Sequence, residues 1–252
     1  MKTSKEDWNQ VYSVLNDASG NPALEWRWQE AIRLLDLPAR GRGVRLIDFG
    51  CGDGAFLRRL RPLYPEAQFT GVDGADAGLD KARRLLPGSR FINIDLNKPV
   101  IADANLLPLH GNFGMCTEVL EHLDDPVMAL RTFKSLLDKD ARLVITVPGG
   151  PVSASDRHFG HRKHYTIGKL RAELETAQFE VQGIWAAGFP FHNLYRLLVL
   201  LRGEAAINDQ IGTPSGSFSA ISKLLFAAFR ILFHANLFWP PLGWQLFAVA
   251  RA

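Results

Sequence analysis

The stretch Leu46-Ile47-Asp48-Phe49-Gly50-Cys51-Gly52-Asp53-Gly54 decides how the rest of this chain is read. An apolar run, Val44–Phe49, enters three glycines at alternate positions, and Ala55–Leu63 follows with helical spacing. Glycine tolerates positive φ and lets the backbone come close to a ligand, while a helix N-terminus favours an anion. A strand–turn–helix unit of this kind places its ligand at the C-terminal ends of parallel strands. Gly50-x-Gly52-x-x-Ala55 also satisfies the dinucleotide fingerprint, so a nicotinamide cofactor stays open on this evidence.

Outward from the loop, strands and helices alternate. Gln68–Asp73, Ser89–Asp95, Gly114–Glu118, Arg142–Val147 and Phe179–Ala186 read as strands; Asp76–Leu86, Pro126–Leu137 and Ile167–Ala177 read as helices. That rhythm predicts an α/β fold with a doubly wound, mostly parallel sheet. Glu6–Leu37 is helical on both sides of a Gly20-Asn21-Pro22 break, forming a cap over residues 1–42. The ligand-binding core is expected over 43–188 and a helical insertion or lid over 189–241. A last strand follows over 242–252, with Trp244, Leu246, Ala248 and Ala250 on one side. Within the insertion, Phe191–Arg202 and Ala220–Asn236 read as helices around a polar Gly203–Ser219 loop.

Three acids refine the ligand. Asp48 lies inside the first strand, awkward beside a pyrophosphate but well suited to a cationic centre. Asp73 ends the second strand at the distance expected of a carboxylate accepting two ribose hydroxyls. Asp95 ends the third, placed to accept from an exocyclic amino group. The implied ligand has one carboxylate, cationic centres, a ribose and an aminopurine.

Asp48-Phe-Gly-Cys-Gly-Asp-Gly54, Gly71-Val-Asp73-Gly74, Asn93-Ile-Asp95-Leu96 and Glu118-Val-Leu-Glu121-His122-Leu resemble, in order, the motifs of class I S-adenosylmethionine-dependent methyltransferases. The resemblance covers Arg45–Gly188 and is nearest the quinone-biosynthesis type and similar small-molecule enzymes. It implies a Rossmann-like seven-stranded sheet in the order 3-2-1-4-5-7-6 with an antiparallel last strand. It also implies an S-adenosylmethionine site made by Asp48, Gly50, Cys51, Gly52, Gly54, Asp73, Gly74, Asp95, Leu96 and Glu118. A nicotinamide oxidoreductase on the same loop, or a non-catalytic protein on the same fold, are the competing classes.

Methyl transfer to oxygen needs an oriented acceptor and a base near neutrality, which histidine supplies. His122 follows the fourth strand; His161 and His164 lie in Arg157-His158-Phe-Gly-His161-Arg-Lys-His164-Tyr165, after the fifth. All three are candidate bases, against the blander reading of a solvated basic loop. Glu118, Glu121, His122 and His161 also resemble the metal-ligating pattern of small-RNA 2′-O-methyltransferases and some quinone O-methyltransferases, which implies Mg or Mn.

Composition bounds the partners. The 252 residues are 47% hydrophobic and 22% charged, which excludes disorder, collagen-like repeats and coiled coil. Two cysteines form no disulfide framework or zinc pattern, and the charged Met1–Asp7 start shows no secretory signal, so a cytoplasmic location is expected. The net charge of +3 lies wholly in residues 189–252, too weak for nucleic acid. In 190–240, leucines and phenylalanines flank Arg196, Arg202, Lys223, Arg230 and His234. Two readings stay open there, a helical lid or dimer contact, and peripheral membrane association. Either favours a small apolar or lipid-linked acceptor.

Overall fold

The computed structural model describes residues 5–14, 21–99, 109–202, 220–238 and 242–252. The predicted Gly203–Ser219 loop, Leu15 with Gly20 of the first helical break, and Trp239 lie outside them. Helices are α1 (Lys5–Val14), α2 (Pro22–Leu35), α3 (Ala55–Leu60), α4 (Asp76–Leu85), α5 (Pro126–Ser135), α6 (Ala154–His158), α7 (Ile167–Thr176), α8 (Phe191–Arg202) and α9 (Ala220–Leu232). Strands are β1 (Arg45–Phe49), β2 (Gln68–Asp73), β3 (Arg90–Asn93), β4 (Gly111–Thr117), β5 (Leu137–Pro148), β6 (Glu180–Phe189), β7 (Leu237–Phe238) and β8 (Gln245–Arg251).

Among the described residues these strands form one sheet, β3-β2-β1-β4-β5-β8-β6-β7. β3 through β5 run parallel, while β8 is antiparallel to both β5 and β6. The expected order holds once the two-residue β7 on the outer edge is set aside. The order reverses between β1 and β4, where an open α/β sheet parts its loops and leaves a crevice.

Local chemistry sets several ends. Asn21, expected as a break, is the N-cap of α2: its side chain accepts from the Ala23 and Leu24 amides, with Pro22 in the first turn. Asp125 before Pro126 does the same for α5, and Thr166 for α7. The alternation of the last strand sets Leu246, Ala248 and Ala250 on one side. Both faces are buried: Leu246, Ala248 and Ala250 join the core under α5 and α7, while Phe247 and Val249 join the one under α2, α3 and α4. A strand flanked by two others inside a doubly covered sheet has no solvent side.

The described part of the insertion packs on α2 and on the turn after β5, where Arg196 pairs with Asp156. Phe229 and Phe233 close on Tyr195 and Trp26, Arg230 pairs with Glu25 of α2 at 2.7 Å, and Asn236 caps the start of α8 through the Phe191 and His192 amides. No helix among the described residues is long and apolar enough to cross a membrane.

Candidate active site

The glycine loop leaves β1 through three left-handed residues, Gly50 (φ 77°), Gly52 (φ 53°) and Gly54 (φ 74°). The Gly50 and Cys51 amides both donate to the Val72 carbonyl, which folds the loop onto the end of β2. A Cβ on Gly50 would stand 2.2 Å from Val119 Cγ2, and one on Gly52 would stand 2.3 Å from the Tyr12 hydroxyl. The loop is therefore pressed between the turn after β4 and the first helix.

One cleft collects much of the expected donor set: Gly50, Asp73, Gly74, Asp95, Leu96 and Glu118 line it together. Asp73 is oriented by backbone, its Oδ2 accepting from Gly52 N–H and its Oδ1 from Ala75 N–H, both at 2.8 Å. Asp95 accepts from Asn97 N–H and pairs with Lys98 at 3.0 Å. Asp48, Cys51, Gly52 and Gly54 stand outside the lining. Asp48 is 1% exposed beneath the loop with Oδ1 unpartnered, and burial followed by the Asp73 charge pushes its carboxyl up to about 8. The Cys51 thiol turns back toward the Gly52 carbonyl, and Gly54 packs on Ala82. Asp53 accepts from the Ala55 amide at the start of α3 and pairs with Lys81, so that helix start already carries a carboxylate.

Among the described residues the cleft is covered by α1, and none of the described residues of 189–241 lines it. Trp8 and Tyr12 enter it from α1, and Asn9 accepts from the Ala77 amide at the start of α4 at 2.9 Å. Tyr12 is enclosed, and burial followed by the Asp73 charge keeps its phenol protonated. Sequence reading missed these residues because helical spacing marks a buried face without saying what lies opposite it.

Glu118 adopts φ 53°, an unusual conformation for a side-chain-bearing residue, and is gripped from three directions. Oε1 accepts from Thr146 Oγ1 at 3.1 Å and Gln245 Nε2 at 2.9 Å, while Oε2 pairs with Arg27 at 3.2 Å. Arg27, Thr146 and Gln245 come from α2, β5 and β8, and no motif spacing announces them.

Of the three candidate bases, His122 reaches the cleft, with Trp8 edge-on at 5.0 Å. His161 lies behind it, 4.8 Å between ring centres, and His164 lies behind His161. Burial, then the His161 ring, lowers His122 to about 3, and burial, against the raising charge of Asp156 and with the His164 ring, lowers His161 to about 4, so both are neutral at neutral pH. Glu121 is fully buried with both carboxylate oxygens unpartnered; burial, then the Glu118 charge, raises it well above the carboxylate range.

The expected Mg or Mn set is not assembled as read. Glu121, His122 and His161 bring ligand atoms within 4.8 Å of one another, but Glu118 is spent on Arg27, Thr146 and Gln245. What remains is one enclosed carboxylate and two imidazoles. Ions that favour oxygen donors and retain water do not fit that set.

Comparison with known proteins agrees with this geometry. A family model described as a methyltransferase domain matches residues 23–183. A trans-aconitate 2-methyltransferase of Acidovorax sp. (strain JS42) is 32% identical over 116 residues, 41% of this chain and 45% of that protein. A ubiquinone biosynthesis O-methyltransferase of Nitrosospira multiformis is 34% identical over 103 residues, 40% of this chain and 42% of its own. The chain thus matches less than half the length of these curated relatives. An S-adenosylmethionine-dependent methyltransferase from Mesorhizobium loti shares the fold at TM-score 0.56 and 15% identity, covering 90% of this chain and 98% of that one. Sheet order, glycine loop, strand-end acids and the family match over 23–183 together make this chain a member of the methyltransferase-domain family.

Proposed function

We propose that this chain transfers a methyl group from S-adenosylmethionine to a hydroxyl oxygen of a small-molecule or lipid-linked acceptor, with a neutral histidine receiving the proton. The observation that carries the reading is one cleft holding Asp73 and Asp95 at the ends of adjacent strands, beside Gly50 and Glu118. With two lone pairs used by backbone amides, Asp73 keeps others for a pair of ribose hydroxyls. Asp95 next to the buried Leu96 suits an adenine, accepting from its amino group while the leucine covers its ring. Glu118 lines the cleft where the cationic end would lie, while Asp48 sits buried beneath the loop. The donor is already activated, so the protein's work is to position the acceptor and exclude water.

The acceptor side is aromatic and apolar, with Trp8, Val119, His122 and Leu123, and no lysine or arginine lines the cleft among the described residues. That favours a hydroxyl acceptor over a polycarboxylate such as the relatives' trans-aconitate, whose charges would go unpaired. A lipid-linked acceptor, or peripheral membrane contact through 190–240, is supported by Leu194, Leu197, Leu198 and Leu201, exposed at i, i+3, i+4 and i+7 on α8. Arg196 and Arg230, expected to form a basic edge there, pair instead with Asp156 and Glu25.

The test is calorimetric titration with S-adenosylhomocysteine and, in parallel, NADH. Micromolar binding of the first and none of the second is expected. NADH binding without S-adenosylhomocysteine binding overturns the reading and makes the loop a dinucleotide site.

A further inference from the structure

The glycine loop is the expected seat of the donor's carboxylate, yet its amides are already in use. Gly50 and Cys51 both donate to the Val72 carbonyl, Gly52 donates to Asp73 Oδ2, and Gly54 donates to the Cys51 carbonyl. Ala55, the first residue of α3, donates to Asp53 Oδ1 at 3.2 Å. α3 is six residues long and already has the Asp53 carboxylate at its start, so a second carboxylate there meets repulsion.

The side chains of the cleft add no cation. Its charged members are Asp73, Asp95 and Glu118, and no lysine or arginine lines it among the described residues. An anion enclosed there without a hydrogen-bond donor is costly. The strand ends say where that anion falls. Asp95 follows β3, Asp73 ends β2, Gly50 follows β1 and Glu118 follows β4, which is their order across the sheet. With adenine at Asp95 and ribose at Asp73, the amino-acid end of the donor comes to lie over the loop after β1.

Tyr12 stands over that loop. It lines the cleft, and a Cβ on Gly52 would lie 2.3 Å from its hydroxyl oxygen and 2.8 Å from Cζ. A Cβ on Gly78 of α4 would lie 3.1 Å from its Cδ2. Two glycines, one in the loop and one on α4, thus leave the slot that the ring occupies. Asn9 pins α1 beside it, its Oδ1 accepting from the Ala77 amide at 2.9 Å. Burial, then the Asp73 charge, keeps the phenol protonated, so it meets a ligand as a hydrogen-bond donor. Trp8, the other α1 side chain in the cleft, meets His122 edge-on at 5.0 Å instead.

We propose that Tyr12 is the anion-binding residue of the donor site: its hydroxyl donates a hydrogen bond to the donor's carboxylate, in place of loop amides and a helix start that are spent elsewhere. This rests on the methyl-transfer reading and deepens it, since it makes α1 part of the donor site. A ligand with the nucleoside but without the carboxylate gains nothing from Tyr12.

The test is calorimetric titration of the whole chain with S-adenosylhomocysteine and with its decarboxylated analogue, which keeps the nucleoside, the sulfur and the amine. Wild type is expected to prefer S-adenosylhomocysteine by about tenfold or more. Tyr12→Phe is expected to weaken S-adenosylhomocysteine binding about tenfold and to leave the analogue within about twofold of its wild-type affinity. Trp8→Phe is expected to leave the ratio of the two affinities at its wild-type value. A Tyr12→Phe chain that holds S-adenosylhomocysteine as wild type does, or that loses both ligands equally, would overturn the proposal; the second result makes Tyr12 a packing residue only. If Tyr12→Phe does not fold, the wild type decides: equal affinity for the two ligands overturns the proposal and a tenfold preference supports it. A wild type that binds neither ligand sinks the methyl-transfer reading itself, a failure distinct from the loss of preference between them.

Discussion

The two walls of the cleft are built by different means. The donor wall is local: a glycine loop, two strand-end carboxylates and backbone amides, all within residues 48–97. The acceptor wall is assembled from afar, with Trp8 from α1, Arg27 from α2, His122 after β4, and the turn after β5 anchored by Arg196 of α8. A wall made of neighbouring backbone tolerates few substitutions but needs few partners. A wall made of distant side chains is set by each of its ties, and changing one moves the others.

The largest expected effect lies on the donor wall. Asp73→Ala removes the carboxylate that accepts from the Gly52 and Ala75 amides and that the proposed function assigns to the ribose; S-adenosylhomocysteine affinity is expected to fall on the order of 100-fold, about 3 kcal/mol, by calorimetry. An affinity within threefold of wild type would mean that the wall does not depend on its central acid.

Asp48 sharpens the comparison through pH. In the folded chain its carboxyl stays protonated up to about 8, whereas in the unfolded chain it ionises near 4. Folding is therefore opposed increasingly as pH rises through that interval, and no further above it. Asp48→Asn is expected to match wild type in urea unfolding at pH 4 and to exceed it at pH 7.5 by on the order of 3 kcal/mol, while binding donor less tightly. A stability gap that does not widen with pH would refute this.

A matched pair of glycines compares the walls directly. Gly50 and Gly150 both have positive φ, and a Cβ would meet Val119 Cγ2 at 2.2 Å in the first case and the Trp244 ring at 2.6 Å in the second. A valine can change rotamer, but a packed indole cannot step aside. Gly50→Ala is expected to cost about 2 kcal/mol, with Gly150→Ala costing more, in melting experiments. The reverse order would show the acceptor wall to be the softer one.

The smallest effect belongs to the insertion. Arg230→Ala breaks a largely exposed pair with Glu25 and is expected to cost no more than about 1 kcal/mol. A larger loss would make α9 a structural part of the cap.

The same division explains what the sequence could reveal. The strand–glycine–helix unit, the sheet order and the roles suited to Asp73 and Asp95 follow from spacing along a single strand or turn. His161 and His164 stood out by concentration, but their anchor, Arg196, is separated from Asp156 by 40 positions and looked like one more base on an apolar helix. Glu118 matched a metal pattern until Thr146, Gln245 and Arg27 claimed its oxygens.

The seating of α1 bears on kinetics. This ten-residue helix closes the cleft through Trp8 against His122, Tyr12 against Gly52, and one side-chain cap from Asn9 onto α4. If the methyl-transfer reading holds, lifting α1 would open both walls from the same side and let spent donor leave without any strand of the sheet parting.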